Sequence, residues 1–120
     1  MKNYNKTPYI NARKDDCTMT ENEIRNTMLN LIYTIGGVKL SKATVYLPSV
    51  APDCKFEIDH ARLVRRLSKL LIVDDGNEIE ALNIPSSDIK SLHHRQYGKN
   101  HFISIRHKDD RCTNVDLWVA

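Results

Sequence analysis

Cysteine is scarce: Cys17, Cys54 and Cys112 are all the chain has, and no two form a Cys-x-x-Cys pair. That spacing argues against a structural zinc site, and an odd number leaves one thiol over from any disulfide framework. Free thiols in a reducing cytoplasm are the expectation. Long apolar runs are missing too, since nothing approaches the roughly 18–20 residues that a bilayer-spanning helix needs. The opening stretch MKNYNKTPYINARKDD has no apolar h-region of the kind a secretory signal carries. A soluble, cytoplasmic protein with no membrane partner is expected. There is no Gly-x-Ser-x-Gly elbow, no glycine-rich phosphate loop, and no cysteine in an evident motif with a histidine. The chain therefore reads as a non-enzyme with no cofactor and no metal. Cys54, between Asp53 and Lys55, is at most a candidate reactive thiol.

What is present suits one domain, because 120 residues can bury a core without staples. Residues 1–18 read as a flexible polar arm carrying Lys2, Lys6, Arg13 and Lys14, and residues 19–120 as a single α+β domain. A net charge of +3 permits nucleic acid as a partner without demanding it. Thr20-x-x-Glu23 is a capping box, and Met19 with Ile24 suits a hydrophobic staple. Ile24, Met28, Leu31, Ile32 and Ile35 then recur at helical spacing until Gly36-Gly37, which predicts a core helix over 20–36. Ala43, Val45 and Leu47 alternate with Thr44 and Tyr46, which predicts a strand within 38–47; the competing reading is the start of a DNA-recognition helix. Pro48 to Pro52 reads as a rigid loop.

The segment Asp59–Ile72 reads as a second helix. Leu63, Val64, Leu67, Leu70 and Leu71 form an apolar stripe, and Arg62, Arg65, Arg66 and Lys69 fall on nearly the opposite side. The Asp74-Asp75-Gly76-Asn77 turn follows, and Glu78–Ile84 suits a returning strand. Arg65, Arg66, Leu67, Leu70, Ile72, Val73, Asp75, Gly76 and Ile79 together resemble the recognition helix and wing of winged-helix DNA-binding domains. The resemblance implies a small winged-helix-like α+β fold whose helix at 59–72 reads duplex DNA, commonly as a dimer. The wing here is acidic, with Asp74, Asp75, Glu78 and Glu80.

Charge is sorted in the second half. Residues 73–89 hold five acids and no lysine or arginine, whereas residues 90–108 hold five such cations, four histidines and no acid. Tyr97 and Phe102 lie among those cations, as a surface that neutralises phosphate and stacks bases requires. Pro85-Ser86-Ser87-Asp88 suits the opening of a short helix over IKSLHHRQ. Ile103 and Ile105, then Val115, Leu117 and Val119, alternate as a C-terminal β-hairpin over 101–119, with Trp118 and Asp116 on its other face. His93, His94 and His101, with His60, are candidate metal ligands. FEIDHA and DIKSLHHRQYGKN distantly resemble the two halves of HNH endonucleases, a resemblance that implies a degenerate nuclease with Asp59-His60 as its general-base pair. Asp88 and Tyr97 stand where that family has asparagine and histidine.

The functional expectation is a small DNA-binding protein, a transcriptional regulator from a bacterial or mobile-element setting. Arg62, Arg65, Arg66 and Lys69 would contact double-stranded DNA, supported by Arg95, Lys99 and Arg106. The alternative is a protein-binding adaptor, or a phage-type inhibitor of a host enzyme, that makes contact through Asp74, Asp75 and Trp118.

Overall fold

Thr20 opens the helix α1 (Glu21–Ile35) as its sequence predicts. Its hydroxyl accepts from the Glu23 N–H at 3.1 Å, and the Glu23 carboxylate accepts from the Thr20 N–H at 2.8 Å. Two backbone donors that no helical carbonyl can reach are thereby satisfied. Ile24, Met28, Leu31, Ile32 and Ile35 are the buried side. Gly37 turns the chain out with φ +83, a conformation that a β-carbon would strain. The computed structural model describes residues 18–64, 66, 68–76 and 79–120. The predicted arm, apart from Thr18, lies outside the described residues.

Among the described residues eight strands follow: β1 (Leu40–Tyr46), β2 (Lys55–Asp59), β3 (Ala61–Val64), β4 (Lys69–Asp74), β5 (Ile79–Pro85), β6 (Ile89–Tyr97), β7 (Asn100–His107) and β8 (Cys112–Val119). They form two antiparallel sheets, a five-stranded one in the order β2-β1-β8-β7-β6 and a three-stranded one in the order β3-β4-β5. The chain passes between the sheets twice. At His60, with φ 55, β2 turns into β3; its N–H reaches the Ser41 carbonyl at 3.4 Å and its carbonyl accepts from Asp75 N–H at 2.8 Å. At Ser86–Asp88 a single 3-10 turn leads β5 into β6. Such corners let one strand direction serve two packed sheets.

One core fills the space between the layers. Ala43, Val45, Ile58, Leu92, Ile103, Ile105, Val115 and Leu117 project from the inner face of the larger sheet. They meet the apolar side of α1 and Ala61, Leu63, Leu70, Ile72 and Ile84 of the smaller sheet. The hairpin β7–β8 matches the alternation of its sequence, with Ile103 opposite Val115 and His101 opposite Leu117.

Two helix expectations are overturned, and the winged-helix-like α+β fold goes with them: the described residues are mostly strand, in two antiparallel sheets, with one α-helix. The segment 59–72 is not a basic helix. It is the end of β2, all of β3 and most of β4, with Leu63 opposite Ile72 and Val64 opposite Leu71. A short apolar run such as Leu70-Leu71-Ile72 has no periodicity of its own to separate helix from buried strand. Here all three residues are buried in the central strand of the smaller sheet, flanked by β3 and β5. The segment IKSLHHRQ is likewise strand β6, whose register against β7 runs from Ile89 opposite His107 to Tyr97 opposite Asn100. The Pro-Ser-Ser-Asp opening supports only the 3-10 turn. The recognition-helix reading of Leu40–Tyr46 also finds no helix, because that segment is β1 between β2 and β8.

Candidate nucleic-acid interface

Strand pairing fixes which side chains share the outer face of the five-stranded sheet, because residues opposite each other in an antiparallel pair project to the same side. Four rows result. Arg106 lies between Ser91 and Cys112. His93, Ser104, Asn114, Tyr46 and Lys55 form the next row across the strands. Arg95, Phe102, Asp116, Thr44 and Glu57 form the third. In the last row Tyr97 faces Asn100, while Trp118, Lys42 and Asp59 continue it from β8 to β2.

Three rings from three adjacent strands meet on this face. Tyr97 and Phe102 have ring centroids 5.4 Å apart, tilted by 57°, and Phe102 meets Trp118 edge-on at 5.9 Å and 89°. These are favourable aromatic geometries, since the positive edge of one ring approaches the negative face of the next. Polar contacts orient the two end rings. Arg95 Nη1 donates to the Tyr97 hydroxyl at 2.8 Å, and Trp118 Nε1 donates to Thr44 Oγ1 at 3.2 Å. Tyr97 stays 57% exposed, so its ring is held in place yet open to solvent.

The charge on the face is uneven. Its β6–β7 side carries Arg95, Arg106 and His93, with Lys99 in the two-residue turn joining those strands. Gly98 has φ +60 and starts that turn, as a tight hairpin connection of this kind requires. The β1–β2 side adds Lys42 and Lys55, but also Glu57 and Asp59, with Lys42 bound to Glu57 at 3.1 Å. Between the two sides, the Asp116 carboxyl and the Tyr46 hydroxyl interact. Burial raises the Asp116 carboxyl above its usual range, and burial followed by the Asp116 charge raises the Tyr46 phenol.

The residues singled out from sequence divide in two. Arg95, Arg106 and Trp118 come together on the outer face, with Lys99 at its tip. Arg62 and Lys69 belong to the smaller sheet, which joins the larger one through the opposite, inner face. Arg62 Nε binds Asp75 Oδ1 at 3.1 Å, Lys69 is half-buried opposite Pro85, and Arg66 is exposed between β3 and β4. Arg65 lies outside the described residues. Among the described residues, the single cationic stripe expected of a helix does not form. Of the proposed protein contacts, Asp75 is held by Arg62, and Asp74 Oδ1 accepts from the Gly76 N–H at 3.0 Å, closing the turn.

Apart from the pair His94–His101, the histidines do not converge. His60 is in the sheet-to-sheet corner, His93 projects outward, and His94 and His101 project inward as a stacked pair. Among the described residues no group of three or more His, Cys, Asp or Glu side chains is placed to hold a metal ion. Among the same residues no helix is long and apolar enough to cross a membrane. Sequence reasoning passed over Lys42, Tyr46 and Lys55; the alternation Lys42-Thr44-Tyr46 on β1 already put the first two on one side, and the pairing of β1 with β2 adds Lys55. Comparison of the chain with protein-family models, with curated proteins and with solved structures gives no match.

Proposed function

We propose that the protein binds nucleic acid through the outer face of its five-stranded sheet, led by the β6–β7 side. One observation carries this reading: Tyr97, Phe102 and Trp118 share a face with Arg95 and Arg106, and Lys99 stands at its edge. Fixed cations neutralise phosphates, and exposed rings offer surfaces for bases. Action on duplex DNA as a transcriptional regulator rested on a helix at 59–72. Without that helix the proposal rests on the sheet face, whose charge and rings suit nucleic acid generally.

Trp118 is the only tryptophan, so its emission reports directly on this face. Titration with mixed-sequence DNA and RNA at low ionic strength is expected to give a saturable change. The logarithm of the affinity should fall linearly with the logarithm of salt concentration. Arg95→Glu with Arg106→Glu should weaken binding and lower the salt slope by about 1 for each phosphate that is no longer neutralised. Arg62→Glu, on the other sheet, should leave both unchanged. If neither DNA nor RNA binds at low ionic strength, the proposal fails. A protein-binding adaptor, favoured by acidic Glu57 and Asp59 on the same face as Trp118, would then be the better reading.

A further inference from the structure

The geometry points to a more specific ligand: unpaired nucleotides, RNA or DNA, whose bases stack on the Tyr97–Phe102–Trp118 row, with Tyr97 as the leading platform. This rests on the nucleic-acid reading above and narrows it. A duplex hides the faces of its bases, and its major groove admits a helix or a two-stranded ribbon. Neither device is available on this face. The apolar side of α1 is committed to the core. The β6–β7 hairpin is not a free ribbon, because β8 pairs with β7 as far as His101 opposite Leu117, and the Val119 N–H then bonds Asn100 Oδ1 at 3.1 Å. Only the Gly98-Lys99 turn projects past that pairing.

What the face does offer is a set of rings on neighbouring strands. Strands in a sheet lie about 4.8 Å apart, and the ring centroids step across β6, β7 and β8 at 5.4 and 5.9 Å. Tyr97 is the most exposed of the three, and its hydroxyl accepts from Arg95, which holds the ring with its face open to a ligand. A ring held in place before binding loses little freedom when a base settles on it. Around the rings lie His93, Ser104 and Asn114, short polar groups able to bond base edges that pairing would otherwise occupy. The β6–β7 side, whose charged side chains on this face are all cationic, sets the path of the phosphates, whereas on the β1–β2 side Glu57 and Asp59 offset Lys42 and Lys55.

The test compares one oligonucleotide sequence, chosen not to fold on itself, as a single strand and as a duplex, in ribose and deoxyribose forms. Affinities are measured for the full-length protein and for Tyr97→Ala and Tyr97→Phe. The single strand should bind at least tenfold more tightly than the duplex. Tyr97→Ala should lose roughly five- to hundredfold for the single strand, the range seen when one stacking ring is removed. Tyr97→Phe, which keeps the ring, should stay close to the parent. If duplex and single strand bind alike, or Tyr97→Ala binds as the parent does, stacking is overturned. Should Arg95→Glu with Arg106→Glu still weaken binding in that case, the broader nucleic-acid reading stands without it. Failure of every oligonucleotide to bind removes both.

Discussion

His94 Nε2 and His101 Nδ1 lie 2.8 Å apart on adjacent strands, with the two imidazoles stacked at 5.0 Å and 22°. One nitrogen donates and the other accepts, so the pair is satisfied when both rings are neutral. Burial lowers both pKa values, and for His94 the neighbouring His101 lowers it further.

A stability profile with a defined sign follows. A histidine whose folded pKa lies below its unfolded value binds fewer protons when folded, so stability rises with pH. This contribution is complete above the unfolded value of about 6.5 and is lost as pH falls below it. Urea unfolding between about pH 7 and pH 5 should show the decline, and His94→Leu should make it shallower. An unaltered slope in that variant would show that the pair is not its source.

Buried His107 joins three segments of chain. Its Nδ1 donates to Asp88 Oδ2 at 3.0 Å, and its Nε2 bonds Thr113 Oγ1 at 2.8 Å. This fastens the corner between β5 and β6 to the β7–β8 hairpin. His107→Ala should lower stability by about 1–3 kcal/mol or more, because buried Thr113 loses its partner and a void opens. His93→Ala, on the exposed side of the same sheet, should change the urea midpoint little. Equal effects from the two would deny His107 this role.

The replacement of a helix by strands at 59–72 has its own consequence. Ile72 is fully buried and paired with both Leu63 and Leu82, so Ile72→Ala should cost about 2–5 kcal/mol. Backbone hydrogen exchange is the sharper check. The amides of residues 70–73 should be protected by bonds to β3 and β5 and lose that protection in a variant that disrupts β5. Protection of every one of these amides that survives disruption of both β3 and β5 would point back to a local helix.

At the helix start, Thr20→Ala removes one side of the capping box and should cost about 0.5–2 kcal/mol. Thr20→Asp, which can still accept from the Glu23 N–H, should recover most of that loss. If Asp fares no better than Ala, the cap contributes nothing measurable.

Legibility from sequence followed the range of the interactions involved. The capping box, the Ile24–Ile35 stripe, the alternation of β7 and β8, the strand within 38–47 and the turn at Asp74–Gly76 were all readable. Each is decided by residues within a few positions of one another. The segment Asp59–Ile72 was not readable, because its leucines and arginines fit a helical stripe as well as they fit a hairpin. The β6 segment failed similarly, since Ser86-Ser87-Asp88 is a helix-opening signal that here ends after one turn. On the candidate face, Tyr97, Phe102 and the surrounding cations stand out in sequence as a charged aromatic stretch. Their meeting with Trp118 does not, since Trp118 is sixteen or more positions away in sequence and only pairing across β7 and β8 brings it there.

By itself, then, the sequence determined the helix α1 with its ends, the C-terminal hairpin and the separation of acidic from basic segments, because caps, alternation and charge act locally. Tertiary structure alone decided that Leu63 faces Ile72 across a sheet, that Arg62 turns to Asp75, and that three rings line one outer face. The physical reason is that a strand has no stabilising partner within itself. Its hydrogen bonds and its choice of face come from neighbours far along the chain, which is why Arg62 and Lys69 end on two different strands of the smaller sheet.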